Sequence, residues 1–219
     1  MAITPAYLFH WLSSNINLFV KMLIWISMLL LSLSPVLSFV NIKIGSFKTK
    51  TQTSAIDYVI YWGIPIPIPR IGVTEQETII AINAGGAIVP ITVGIVFVYS
   101  TLLIGNPLVL YATIASITVT TIYTYVSSRV IPSIGIVAPG LGIALVSLAT
   151  SIPVLGRGPV FIPAYVGASF GSLLGADILR LMKDRDRINA PLISIGGAGV
   201  FDGIYLSGAL AVTLGMLFS

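Results

Sequence analysis

Six stretches of this 219-residue chain are continuously apolar, and polar or proline-rich segments separate them. Each stretch is about 20 residues long, the length that a helix needs to cross a bilayer. An outer-membrane barrel would instead show strands of about ten residues with alternating polarity. The pattern therefore predicts an all-α membrane protein with a single polytopic transmembrane domain over residues 1–219. Its six spans are expected at residues 17–40, 78–103, 107–126, 134–155, 160–181 and 192–218.

The segment between the first two spans, IDYVIYWGIPIPIPRIGV, is apolar and aromatic but rich in proline. Proline at alternate positions within residues 63–70 excludes an ordinary helix and favours extended or polyproline II backbone. We expect the segment to lie along the membrane interface or to dip into it, anchored by Tyr58, Tyr61 and Trp62. A re-entrant lid over a site is the alternative.

The distribution of basic residues predicts how these spans are oriented in the membrane. Only 8% of the residues are charged, which argues against a soluble domain. The basic residues of three loops fall on one side, and the positive-inside rule makes that side cytoplasmic. They are Lys43, Lys48, Lys50, Arg70, Arg129, Arg180, Lys183, Arg185 and Arg187, whereas Arg157 falls on the other side and Lys21 at a helix start. We expect a multi-pass protein of the cell membrane, with both termini extracytoplasmic and no nucleic-acid partner.

Several chemistries lack the residues that they need. The chain has no cysteine, and its one histidine, His10, lies near the N-terminus, where we expect it to have no role. A serine protease needs a basic partner such as histidine, and a zinc protease needs an HExxH motif. Nucleotide hydrolysis is equally unsupported, because no P-loop is present. We expect no metal and no cofactor. The absence of cysteine beside abundant isoleucine and valine hints at a thermophilic or archaeal source.

Asp202 is the acidic residue that the membrane makes most costly. On an unbroken last span it would lie about 15 Å deep. A carboxylate there costs several kcal/mol unless it is neutral or faces water, so it is a candidate functional group. The alternative is a protonated side chain that only supports packing.

Asp177 is the second candidate, within about two turns of the cytoplasmic end of span five. It could instead pair with Arg180. Gly167, Gly171 and Gly175 form a small-residue stripe for close helix packing, roughly opposite Asp177. The five other acidic residues are expected to be solvated, with Glu75 and Glu77 at the start of span two; the rest are Asp57, Asp184 and Asp186.

Glycines surround the entrances of two spans. INAGGAIVP begins span two and ISIGGAGVF begins span six, and such glycine pairs permit close backbone approach or a locally unwound helix. Pro139 and nearby glycines should likewise unwind span four, which would then border the protein interior. Asn83 is expected to bond a neighbouring helix or, alternatively, to line a site. The predicted site-lining set is Asn83, Pro139, Gly196, Gly197, Gly199 and Gly203.

If Asp177 and Asp202 meet, they form a dyad in which one carboxyl is protonated and the other ionised. Such a pair can activate water as a base and donate a proton to a carbonyl. The substrate would be a peptide bond of a membrane protein or peptide inside the bilayer.

Two stretches, YVGASFGSLLGADILRL and ISIGGAGVFDGIYLSGALAV, resemble the signature of an uncharacterised prokaryotic family of polytopic membrane proteins. The pair is also loosely similar to the GxGD intramembrane aspartyl proteases: presenilin, signal peptide peptidase and prepilin peptidase. Gly199 matches the first glycine of GxGD, and Phe201 replaces the second. Ala176 stands where the presenilin pattern has tyrosine, and no Pro-Ala-Leu element follows Asp202. The resemblance implies a catalytic role for Asp177 and Asp202.

Another function class fits the same residues. A protonatable Asp202 beside an unwound glycine segment, with a broken span four and Asn83, also describes the site of a proton- or ion-coupled transporter. A scaffold without catalysis is a third possibility.

Overall fold

Helices make up most of the described fold. The computed structural model describes residues 18–131, 135–156, 158–188, 190–197 and 203–219. The helices are α1 (Leu18–Leu37), α2 (Val89–Ile104), α3 (Pro107–Ser127), α4 (Gly140–Leu155), α5 (Phe161–Ser172), α6 (Leu181–Asp184) and α7 (Gly203–Gly215). Wider π turns precede α2 at Ala84–Ile88 and follow α5 at Leu173–Arg180, and a 3-10 turn follows α6 at Arg185–Arg187.

Four of these helical segments are long and apolar enough to cross a membrane: Leu18–Leu37, Ala84–Ile104, Pro107–Ser127 and Phe161–Asp184. Two further helices, α4 and α7, are apolar but shorter. The prediction of a helical membrane protein is therefore supported, whereas a purely α-helical fold is wrong, because the chain also forms strands. Asn106 caps α3 by accepting a hydrogen bond from Leu108 N–H, and Pro107 begins the helix.

Helix α5 lies at the centre of the helices and contacts α2, α3, α4 and α7. Nearly all of its side chains are buried. The glycine stripe explains how α3 comes so close, because a Cβ on Gly171 would lie 2.7 Å from Thr120 Cβ, and one on Gly175 2.8 Å from Thr124 Cβ. Helix α4 joins this contact, because its Ser147 hydroxyl bonds Ser116 of α3 and donates to the Ala164 carbonyl of α5 at 2.6 Å. Close packing along this stripe is confirmed.

Residues 41–83 form one long antiparallel hairpin. Strand β1 (Asn41–Tyr61) pairs with β2 (Ile64–Asn83) along its whole length, through a two-residue turn at Trp62 and Gly63. Both turn residues have positive φ, 54° and 79°, as a type I′ turn requires. The predicted extended backbone over residues 63–70 is confirmed. Span two was predicted to begin at residue 78, but residues 78–83 belong to β2, so Glu75 and Glu77 lie on a strand and not at a helix start.

Three further strands lie at the same end of the helices as the base of the hairpin. Short strands β3 (Arg129–Ile131) and β4 (Gly135–Val137) pair with each other, and β5 (Leu192–Ile195) pairs in parallel with Ile79–Ile82 of β2. One apolar cluster contains residues of all three loops: Phe47 of the hairpin, Val130 of the loop after α3, and Ile193 of the loop after α6. The three loops that were predicted to share one side therefore do so; we call this side the sheet end.

The strands also correct the predicted spans four and six. Helix α4 begins at Gly140 and not at residue 134, and residues 135–137 are strand. Span six was drawn as helix from residue 192, but it opens with β5 and a turn at Gly196 and Gly197, and α7 begins at Gly203. Span six is therefore not one unbroken helix from residue 192, so the assumption behind the depth of about 15 Å fails, and the depth of Asp202, which lies outside the described residues, stays untested.

Candidate functional site

The two glycine-rich entrances lie side by side at the sheet end. Because Ile82 pairs with Ile195, the glycines that follow each strand meet immediately beyond the sheet. A Cβ on Gly196 would lie 2.5 Å from the carbonyl carbon of Gly86 and 2.6 Å from Ala87 N. Gly196 also has φ +71°, a left-handed conformation that glycine tolerates best. The backbones of the two entrances thus touch directly, which is the close backbone approach that paired glycines permit.

Asn83 joins this crossing to the end of α1. Its side-chain oxygen accepts from Gly86 N–H at 2.8 Å, and its amide donates to the Ser38 carbonyl at 2.6 Å and to Asn41 Oδ1 at 3.1 Å. Ser194 of β5 donates to the same Asn41 oxygen. The Asn83 side chain is fully buried and bonded on both ends of its amide. These contacts tie three segments of the chain together, and a role for Asn83 in lining a site stays a prediction.

The starts of α4 and α7 converge a short distance away. A Cβ on Gly203, the first residue of α7, would lie 3.6 Å from Ala138 Cβ, just before α4. One on Gly140 would lie 3.3 Å from Leu206 Cδ2 of α7. The first bond of α4 runs from Ile143 N–H to the Pro139 carbonyl, and within the described chain no side chain caps this helix. Two predicted site-lining residues, Pro139 and Gly203, thus lie beside Ala138.

A cleft of ≈ 700 Å³ opens beside this convergence, between the end of α3 and the start of α4. Six of its eight described lining residues are apolar, among them Ala138 and Pro139, while Ser127 and Arg129 are polar. This is the size of many small-molecule sites, with mostly apolar walls and few polar groups. The cleft can therefore admit a small solute to the start of α4.

One buried hydroxyl group without a described partner, that of Ser172, lies beside the convergence, and that of Ser127 lies in the wall of the cleft. Ser172 is 1% exposed, and its Oγ would lie 3.1 Å from a Cβ on Gly203. The hydroxyl groups of Ser172, Thr124 and Ser127 have no hydrogen-bond partner among the described residues. Most other buried hydroxyls of the helices bond a carbonyl one turn back, for example Thr113 to Val109. Unpaired hydroxyls in an apolar interior are costly, so this group is a candidate for binding a polar ligand.

Asp177 lies half-buried in the π segment Leu173–Arg180. This segment contacts β4, which leads directly into the start of α4. π turns shift the facing of side chains relative to an α-helix and occur frequently at functional sites. The distance between the Asp177 and Asp202 carboxyl groups stays a prediction, since Asp202 and Gly199 lie outside the described residues.

Asp184 was predicted to be solvated, and this prediction is wrong. The residue is 5% exposed, with Oδ2 2.7 Å from Arg180 Nε and Oδ1 3.4 Å from an Arg187 guanidinium nitrogen. The short contact is an ion pair that lacks the alignment of a hydrogen bond. Arg180 also lies over the Tyr125 ring, 5.9 Å from its centre. The i, i+4 spacing of Arg180 and Asp184 was the sequence signal for this pair.

The cleft and the hydroxyl groups were missed at the sequence level. Serine and threonine within apolar spans usually bond the preceding turn, so their presence does not indicate a site. The signal that could have revealed the cleft was the polar Ser127–Arg129 turn facing Pro139 across a short loop. Within the described part of the chain, no three His, Cys, Asp or Glu side chains lie together as metal ligands would.

Comparisons with known proteins place the chain in a family without indicating a reaction. Neither the curated proteins nor the solved structures give a match. Nothing in the comparisons supports the similarity to GxGD intramembrane proteases. The family model described as "Protein of unknown function (DUF1614)" matches residues 36–214, most of the chain, which therefore belongs to that family.

Proposed function

We propose that this protein is a membrane carrier for a small polar solute, coupled to protons or another ion through Asp202. One observation carries the proposal: the starts of α4 and α7 meet beside a cleft and beside the Ser172 hydroxyl, which has no hydrogen-bond partner in the described part of the chain. Discontinuous membrane helices bind solutes through their backbone groups in many secondary transporters, and here the corresponding helix starts lie towards the sheet end.

The helix lengths are in keeping with interrupted spans. Helices α4 and α7 have 16 and 13 residues. They would extend about 24 Å and about 20 Å, less than the roughly 30 Å of hydrocarbon in a bilayer. In this proposal all six apolar segments enter the cell membrane, both termini are extracytoplasmic, and the sheet end faces the cytoplasm. The strand β4 before α4, and the chain that precedes α7, would complete the two crossings within protein and away from lipid.

The N-terminus of α4 has no side-chain cap among the described residues, and the partial positive charge of its first backbone N–H groups suits an electron-rich group of a solute. Ser172 adds a donor at α7, and the cleft supplies apolar walls for the rest of the solute. Asp202 immediately precedes α7 in the sequence, so its protonation would change the charge beside this site. Solute binding and proton binding would thereby be coupled.

Hydrolysis of a membrane-peptide bond by Asp177 and Asp202 is the rival. The contact of the Asp177 segment with β4 favours it, because β4 leads to the start of α4 and so towards Gly203. This reaction needs the two carboxyl groups within hydrogen-bonding reach or one water apart. The carrier is preferred because the cleft and the unpaired hydroxyls are features of solute binding and need no second carboxyl.

The test measures transport currents in proteoliposomes on a solid-supported membrane. The solutes offered are lactate, succinate, phosphate, glycine and choline, each with and without a pH gradient. The carrier predicts a current with at least one of them, reduced about tenfold or more by Asp202→Asn and severalfold by Ser172→Ala. Asp57→Asn, an equal change in the hairpin, is the matched control and should retain the current.

The carrier is contradicted if none of the five solutes gives a current. It is also contradicted if Asp202→Asn leaves the current unchanged. The same liposomes are offered a transmembrane peptide with a fluorophore and a quencher on either side of its centre. Cleavage that Asp177→Asn and Asp202→Asn each abolish would establish the hydrolase instead.

A further inference from the structure

We infer that the tip of the β1–β2 hairpin, residues 56–69, is inserted into the headgroup region of the bilayer that the helices cross. This inference is independent of the carrier. The tip has no charged residue from Tyr58 to Pro69, and it carries two tyrosines and a tryptophan. Tyrosine and tryptophan concentrate where headgroups meet acyl chains.

Apolar side chains cover both faces of the tip. Ile60 and Tyr58 lie on one face, and Val59 and Ile66 lie on the other, because successive residues of a strand point in opposite directions. All four are exposed, as is Trp62 at the turn, which is 92% exposed. A hairpin that only rests on a surface needs one apolar face. Two exposed apolar faces indicate that the tip is surrounded.

The backbone edge explains why the surroundings are lipid and not another strand. Pro65, Pro67 and Pro69 lie opposite Ile60, Tyr58 and Ile56. In an antiparallel pair, every second residue points its backbone N–H and C=O away from the partner strand. Proline has no N–H to donate, and β1 and β2 stay paired beyond all three prolines. The prolines therefore occupy the positions of β2 that point away from β1. The outer edge of β2 therefore offers no N–H donor along the tip. Such an edge cannot pair fully with another strand, and it carries fewer unsatisfied groups into an apolar medium.

The remaining backbone groups limit the depth of insertion. The outer edge of β1 keeps its N–H and carbonyl groups. One of them, the Tyr58 N–H, donates to the Asp57 carboxylate at 3.1 Å. An ionised carboxylate and free carbonyls need water or headgroups nearby. The tip therefore belongs at the boundary between headgroups and acyl chains. Below the tip, the hairpin carries the exposed pair Lys48–Glu75, at 3.3 Å, which is suited to water.

The experiment uses the three tryptophans of the chain as reporters in single-copy lipid nanodiscs. Trp62 is left alone by Trp11→Phe and Trp25→Phe, and the lipids carry bromine on their upper acyl carbons as a quencher. We expect Trp62 emission to be quenched strongly, by about half, relative to unbrominated lipid, because an interfacial tryptophan lies beside the upper acyl carbons. Because each nanodisc holds one bilayer and one copy, quenching reports insertion into the protein's own membrane.

Two single-tryptophan controls bracket the result. Trp25, half-exposed on α1, should be quenched, and a tryptophan placed by Lys48→Trp in a chain without the other three should not. Ile60→Glu and Ile66→Glu, one on each face, should each reduce Trp62 quenching severalfold while the helices keep their thermal stability. Trp62 emission that bromine leaves unchanged would overturn the inference. So would blue-shifted Trp62 emission that appears only in detergent at high protein concentration, since it would indicate that a second copy covers the tip.

Discussion

Replacing Gly196 by alanine tests the direct crossing of the two glycine-rich entrances. The new Cβ would lie 2.5 Å from the Gly86 carbonyl carbon and 2.6 Å from Ala87 N, well inside normal contact. Both atoms are backbone, so no change of side-chain rotamer can relieve the overlap. Overpacking of this kind costs about 1–3 kcal/mol. The left-handed φ of +71° adds about 1–2 kcal/mol for a residue with a side chain.

Two other glycines separate these contributions. Gly105 has a similar φ of +69° but nothing within 4 Å of its Cβ position, so Gly105→Ala reports the cost of backbone conformation alone. Gly45 has neither a positive φ nor a close neighbour, and Gly45→Ala should be neutral. The free energy of unfolding should therefore fall by about 2–5 kcal/mol for Gly196→Ala and by about 1–2 kcal/mol for Gly105→Ala.

The assay is thermal unfolding of the purified protein in detergent, followed by tryptophan fluorescence. For a chain of this size, each kcal/mol lowers the unfolding temperature by about 2–4 °C. We expect a decrease of about 5–15 °C for Gly196→Ala, clearly larger than that for Gly105→Ala. Equal decreases for these two variants would refute the direct contact between the entrances.

Two further substitutions test the packing around α5 and the buried ion pair, both by thermal unfolding. Asp184→Asn should destabilise the protein by about 1–3 kcal/mol, because it leaves the Arg180 guanidinium largely buried without its carboxylate; Glu75→Gln, in the exposed pair, should change stability by less than about 1 kcal/mol. Equal effects of the two would show that Asp184 is solvated after all. Gly171→Leu should cost about 3 kcal/mol by forcing α5 from Thr120 of α3, and an unchanged unfolding temperature would contradict that contact.

The long apolar runs predicted the helices best where no strand intervened. Span three was expected at residues 107–126 and is Pro107–Ser127, since Asn106 and Pro107 are strong local start signals. The paired glycines also predicted close backbone approach, although not that the two entrances would contact each other. Their meeting depends on β2 and β5 pairing across more than a hundred residues, which no local pattern contains.

The strands were missed for two physical reasons. Short apolar runs such as residues 79–82 and 192–195 have the same periodicity as a buried helix, so they were counted with the spans that follow. The prolines of β2 predicted extended or polyproline II backbone without indicating a partner strand, and they are acceptable on an outer edge, where no hydrogen bond is lost. The turn Trp62–Gly63 between β-branched runs was the available signal for the hairpin.

The convergence of the α4 and α7 starts is the central claim, and a disulfide tests it most directly. The chain has no cysteine, so Ala138→Cys and Gly203→Cys introduce the only two thiols. The Cβ positions lie 3.6 Å apart, within the range of about 3.5–4.5 Å found in disulfides. Oxidation of the protein in membranes, read as loss of labelling by a maleimide-polyethylene glycol, should crosslink this pair, while Ala138→Cys with Gly105→Cys should remain fully labelled. If the first pair also remains fully labelled, the two helices do not begin at one place, and the proposed site does not exist.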